Sequence, residues 1–136
     1  MSGGKAFVDT NLFVYLYSEH EPEKQKAAMS AMNHYDRTVS TQVLNEFCNV
    51  CTRKLGFKIP AIKKAIGEIC YTCEVLTVDE TIITLALDLQ QKYGYSYYDS
   101  LIIASALDSE CVCLLTEDLA DGQVIEGKLT IKNVFA

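Results

Sequence analysis

Apolar residues along this chain follow two rhythms: short unbroken runs bounded by turn formers, and longer stretches that repeat every three to four positions. The runs Ala6-Phe7-Val8, Thr38-Val39-Ser40, Glu74-Val75-Leu76, Cys111-Val112-Cys113-Leu114-Leu115 and Leu129-Thr130-Ile131 predict strands, the first, third and fourth of them in the core. Between them lie helical patterns. Leu12, Phe13, Tyr15 and Leu16 carry one from Asn11 to Ser18, and Pro22 opens a second with Ala27, Ala28, Ala31 and Met32 as its stripe. A third runs from Thr41 to Leu55 and is closed by Gly56; a fourth runs from Pro60 to about Tyr71 with Ile62, Ala65, Ile66 and Ile69 inward. Thr77-Val78-Asp79-Glu80 has the form of a capping box for a helix to Lys92, stopped by Gly94, and the last helix spans Ser96 to Asp108. Strands alternating with helices predict an α/β fold, a three-layer sandwich with a central parallel sheet flanked by helices. No repeat, linker or low-complexity tract divides it, so a single domain over residues 1–136 is expected.

Charge and length narrow the function. A chain of 136 residues is long enough to bury its own core, and a net charge of -6 argues against indiscriminate nucleic-acid binding while leaving room for a local basic patch. Apolar runs are too short to span a membrane, and Met1-Ser2-Gly3-Gly4 leads straight into the first strand, so a cytoplasmic protein is expected. The six cysteines raise a specific alternative: Cys48-x-x-Cys51 and Cys70-x-x-Cys73, 18 residues apart, match the spacing of a four-thiolate zinc site. Both pairs nevertheless fall on helical patterns, where Cys48 and Cys51 share a face with Val43, Leu44, Phe47 and Leu55, and core packing is the simpler expectation. His20 and His34 have no metal-binding neighbours in sequence and read as surface residues.

Four acids stand where chemistry is built in such folds. Asp9 follows the first strand directly, at the carboxyl end where parallel sheets bind ligands, although Asp9 or Thr10 would also serve as a helix N-cap. At about 100° per residue, Glu46 lies on the margin of the third helix beside Val50, where it either borders a cleft or is simply solvated. Asp99 aligns with Ile102, Ile103 and Ala106 and is expected to point toward the sheet; the alternative is a capping box with Ser96. Thr116-Glu117-Asp118 ends the most apolar strand, with ordinary turn chemistry as its alternative. If these carboxylates converge without a basic partner they repel one another, and a divalent cation relieves that; oxygen donors select Mg²⁺ or Mn²⁺ over zinc.

Phe7-Val8-Asp9-Thr10-Asn11, Gln42-Val43-Leu44-Asn45-Glu46-Phe47, Tyr98-Asp99-Ser100-Leu101-Ile102-Ile103-Ala104 and Leu115-Thr116-Glu117-Asp118, in this order and spacing, resemble a PIN domain, and within that family the VapC-type toxins of bacterial toxin–antitoxin pairs. The resemblance covers nearly the whole chain. It implies a metal-dependent ribonuclease in which Asp9, Glu46, Asp99 and Asp118 hold Mg²⁺ or Mn²⁺, supported by Thr10, Asn11, Thr116 and Glu117. It also implies a homodimer neutralised by a small antitoxin. Two departures stand out: Asn133-Val134-Phe135 lacks the proline often found there, and Glu117 beside Asp118 leaves two candidates for the fourth ligand. Arg53, Lys54 and Lys58, with Lys63 and Lys64, offer a rim for an RNA backbone or a solvated helix face. Tyr93, Tyr95, Tyr97 and Tyr98 offer base-stacking surfaces or ordinary packing. A catalytically silent PIN-like interaction module is the alternative of another class.

Overall fold

The computed structural model describes residues 3–136; Met1 and Ser2, part of the lead into the first strand, lie outside the described residues. The chain runs β1 (Lys5–Val8), α1 (Thr10–Tyr17), α2 (Pro22–Met32), β2 (Asp36–Ser40), α3 (Thr41–Arg53), α4 (Ile59–Thr72), β3 (Glu74–Leu76), α5 (Glu80–Tyr93), α6 (Tyr97–Asp108), β4 (Cys113–Thr116), β5 (Val124–Ile125) and β6 (Leu129–Asn133). The strands form one sheet in the order β3-β2-β1-β4-β6-β5, parallel except for the β5–β6 pair. Helices α5 and α6 pack together, with α6 over β1, β2 and β4, while α1 packs against α2 and α3. The result is the expected α/β sandwich.

Strand order positions the site. From β1 the chain lays β2 and β3 to one side, then returns to place β4 and β6 on the other, so the order reverses between β1 and β4. Loops leaving two strands that diverge in this way open a crevice at their carboxyl ends. Register brings those ends level: Val8 pairs with Leu115, and the Asp9 N–H donates to the Leu115 carbonyl at 3.0 Å. Phe7, Phe13, Phe47, Leu114 and Leu115 fill the interior beneath. Helix α6 is buried over every residue from Ser100 to Ala106, the mark of an element apolar all round, and its Ala104, Ser105 and Ala106 let it lie close to the sheet.

Three local expectations are corrected. Glu74-Val75-Leu76 is an edge strand rather than a core one, and Val75 is 39% exposed because only β2 pairs with it. Strand β5 was not anticipated; it is a two-residue strand that exists only by pairing antiparallel with β6, between turns at Gly122 and Gly127 whose positive φ favours glycine. Helix α5 is capped by Asp79, whose carboxylate accepts from the Ile82 N–H at 3.1 Å, not by a box starting at Thr77. Gly94 ends that helix in the left-handed conformation, as expected.

Candidate active site

Asp9 caps α1 and faces the crevice at once. Its Oδ1 accepts the Thr10 N–H at 2.7 Å and its Oδ2 accepts the Thr116 hydroxyl at 3.0 Å. Its carboxyl is closely enclosed, and burial is the main reason its pKa climbs from 3.8 to about 6; the Thr10 and Thr116 hydrogen bonds oppose the rise, and the charges of Glu46 and Asp99 add to it. Thr10, itself buried, donates its hydroxyl to Glu46 Oε1 at 2.7 Å. Glu46 therefore sits at the margin of α3 as the helical spacing predicted, held on its other oxygen by Gln42 Nε2 at 3.1 Å.

Asp99 enters from the start of α6. Its backbone N–H donates to the Ser96 hydroxyl at 3.2 Å, so half of the capping box is present, but among the described residues its carboxylate accepts no hydrogen bond and is left to the crevice. It lines the opening together with Ile102, the residue with which helical spacing aligned it. Asp118 arrives through Thr116, whose hydroxyl accepts the Asp118 N–H at 3.3 Å while donating to Asp9. Burial, then the charges of Glu117 and Asp99, push the Asp118 pKa up. Asp9, Glu46, Asp99 and Asp118 thus line one cleft of about 280 Å³, together with Thr10, Asn11, Gln42, Asn49 and Tyr98, and no Lys or Arg lines it. A larger apolar groove of about 600 Å³ between α2 and β6 has Asp121 as its single acid, so size does not mark the chemistry here.

Glu117 is placed differently. Lys24 Nζ donates to it at 2.9 Å, the Tyr15 hydroxyl at 2.8 Å and Asn11 Nδ2 at 3.1 Å. Burial raises its pKa, but these partners outweigh that and leave it below the ordinary value. Glu117 is absent from the cleft lining, whereas Asn11 touches both groups. Arg53, Lys54 and Lys58 are exposed, form no ion pair among the described residues and line no part of the cleft. Sequence reading missed Gln42 and Asn49; the signal was their spacing, four before and three after Glu46 on one helix face.

The zinc alternative is corrected. Cys51 and Cys73 are buried, Cys48 partly so, and Cys70 is exposed; all are free thiols, and among the described residues no group of three His, Cys, Asp or Glu side chains could hold a metal ion as it stands. Burial, and then Cys48, push the Cys51 thiol up to about 11, as for a thiol packed in the core. His20 and His34 are exposed, as expected. Of the tyrosines, Tyr93 and Tyr95 bond to Glu126 and Gln123, Tyr97 packs against the core, and Tyr98 is left facing solvent.

The PIN domain family matches residues 6–120. This chain belongs to the PIN domain family. Solved structures share its fold: a toxin–antitoxin complex from Klebsiella pneumoniae has a TM-score of 0.70 at 19% identity, covering 92% of this chain and 95% of that one. VapC20 of Mycobacterium tuberculosis, described as a sarcin-ricin loop cleaving toxin, gives 0.67 at 18% identity over 80% of this chain and 86% of its own. VapBC2 of Rickettsia felis, bound to a promoter DNA fragment, gives 0.66 at 17% over 94% and 97%. No curated protein sequence matches the chain. For this PIN domain, the acid cleft lies at the strand-order reversal, the place where the physics of parallel sheets puts a ligand.

Proposed function

We propose that this PIN domain, read as one unit over residues 1–136, is a metal-dependent endoribonuclease and the toxin of a type II toxin–antitoxin pair. The observation that carries the reading is the cleft itself: four carboxylates, one of them pushed to about 6 and repelled by its neighbours, with no cation among the lining residues. Such a donor set of oxygens fits Mg²⁺ or Mn²⁺. The acids line one cavity without forming a preassembled cluster among the described residues, and Glu46 is engaged by Thr10 and Gln42 on its two oxygens. Asp9, Glu46, Asp99 and Asp118 would hold the ion. When bound, it supplies charge to a phosphate oxygen and lowers the pKa of an attacking water. The chain's own part is positional. Thr116 orients Asp9 and Asp118 together, Thr10 ties Asp9's helix to Glu46, and Asn11 braces the floor through Glu117.

RNA is the proposed substrate, with Arg53, Lys54 and Lys58 as a rim for its backbone one turn and more beyond Asn49 on α3 and the loop after it. A small antitoxin and a second copy of the chain are the proposed partners; the toxin–antitoxin complexes of similar fold support the first. No helix among the described residues is long and apolar enough to cross a membrane, and a cytoplasmic site of action is proposed. The test is Mn²⁺-stimulated RNA cleavage by purified Asp9→Asn and Asp99→Asn. Loss in both, with folding retained, is expected; cleavage undiminished in both would refute the site. A silent interaction module is favoured by one observation, the lack of a preassembled metal group, and it predicts no metal-stimulated cleavage by the native chain.

A further inference from the structure

A second groove of about 530 Å³ opens beside the acidic cleft and shares Gln42, Glu46, Asn49 and Tyr98 with it. Its chemistry is different. Apart from Glu46, its polar lining consists of the amides of Gln42, Asn45 and Asn49 and the hydroxyls of Thr41 and Tyr98, and no Lys or Arg lines it. Amides both donate and accept, which suits the edge of a nucleobase better than a phosphate. At the mouth, Tyr98 is 66% exposed, which leaves its ring open to a ligand in the groove.

That ring is held in position. Tyr97 packs edge-on against it with centroids 5.4 Å apart, and the Tyr98 carbonyl accepts Gln42 Nε2 at 3.2 Å. Gln42 links the two cavities. Both neighbours of its Nε2, Glu46 Oε2 and the Tyr98 carbonyl, can only accept, so the amide has one possible orientation, and its Oε1 is left buried with no donor. An unpaired buried acceptor is costly, and here it accompanies a brace on the backbone that carries an exposed aromatic ring beside an acid of the cleft. A fixed aromatic face next to a phosphate site is what an unstacked base requires.

We propose that this groove is a nucleobase subsite, in which one base of single-stranded RNA, flanking the phosphate at the acidic cleft, stacks on Tyr98 and meets the amides of Asn45 and Asn49. The proposal rests on the nuclease reading above. The experiment places 2-aminopurine at each position of a short single-stranded oligoribonucleotide in turn and titrates the full chain with Mn²⁺ present. At one position the wild type quenches the fluorescence, and it binds that strand about tenfold more tightly than one abasic at the same position. Tyr98→Phe keeps both effects. Tyr98→Leu loses both while melting as the wild type does, and Asn45→Ala weakens the discrimination between bases. Quenching by Tyr98→Leu equal to the wild type, or equal binding of the abasic strand, overturns the subsite. Cleavage is read on the same samples: cleavage without Tyr98-dependent quenching sinks the subsite alone, and quenching without metal-stimulated cleavage sinks the nuclease reading alone.

Discussion

Glu117 and Asp118 are consecutive, yet the fold treats them in opposite ways. Glu117 is met by a cation, a phenol and an amide, which overcome its burial and hold its pKa low. Lys24, in turn, lies 4.9 Å from the Tyr15 ring centroid and 5.7 Å from that of Phe135. Asp118 has no such partner, and it shares the upward shift of Asp9. One acid is thus satisfied by the protein, while its neighbours keep their mutual repulsion. The proposed site is thus built from the four carboxylates to which the fold brings no lysine among the described residues.

The comparison breaks most visibly in activity. Asp9→Asn and Asp99→Asn should lower metal-stimulated RNA cleavage by about 100-fold or more, as expected when a group that fixes charge at a reacting centre is removed. Asp118→Asn should follow with a smaller loss, since Asp118 is the most exposed of the four. Glu117→Gln should behave in the reverse manner: cleavage persists, while the melting temperature falls by a few degrees because Lys24 loses its counter-charge. A Glu117→Gln variant that is inactive, beside an active Asp118→Asn, would transfer the fourth ligand to Glu117.

Part of this contrast was legible in the sequence and part was not. Asp9 could be placed because an apolar run that stops at an acid puts that acid at a strand end whatever the surroundings, and Glu46 because helical spacing fixes its side of α3. Asp99 could be placed beside Ile102 by the same spacing, although periodicity alone does not show that this face opens on a cleft. Choosing between Glu117 and Asp118 was beyond local pattern. What sets the two acids apart in the fold is Lys24 and Tyr15, 93 and 102 positions from Glu117 in the chain, and nothing near Thr116 announces them. Strand β3 was misplaced for a related reason: three residues look the same in the centre of a sheet as at its edge, and only the strand order decides.

A smaller effect separates the two regions by pH. The Asp9 pKa is higher folded than unfolded, so the stability tied to its proton is complete below about 4 and disappears as pH rises through about 6. In metal-free protein, keeping Asp9 ionised then costs about 3 kcal/mol at neutral pH. Glu117, shifted down, loses its stabilisation only as pH falls below the ordinary glutamate range. Melting of the metal-free chain should therefore decline between about pH 4 and pH 6. Asp9→Asn should flatten that slope, and Mn²⁺ should raise the melting temperature more at the upper end than at the lower. An equal Mn²⁺ effect at both ends would mean that Asp9 does not meet the ion.

The finest test acts on the boundary between the regions. Lys24 pairs with Glu117, but its charge also reaches Asp118, where it opposes the upward push from burial and from Glu117 and Asp99. Lys24→Met keeps the apolar contact with Tyr15 and Phe135 and removes the charge. Asp118 then loses its one downward influence while Glu117 stays close, so its pKa rises further. If cleavage needs Asp118 ionised, the acid limb of the pH–rate profile moves to higher pH, with the plateau rate little changed. If Glu117 were the ligand instead, freeing it from Lys24 would raise metal affinity and the plateau, and the direction of that change assigns the fourth oxygen donor without mutating either acid.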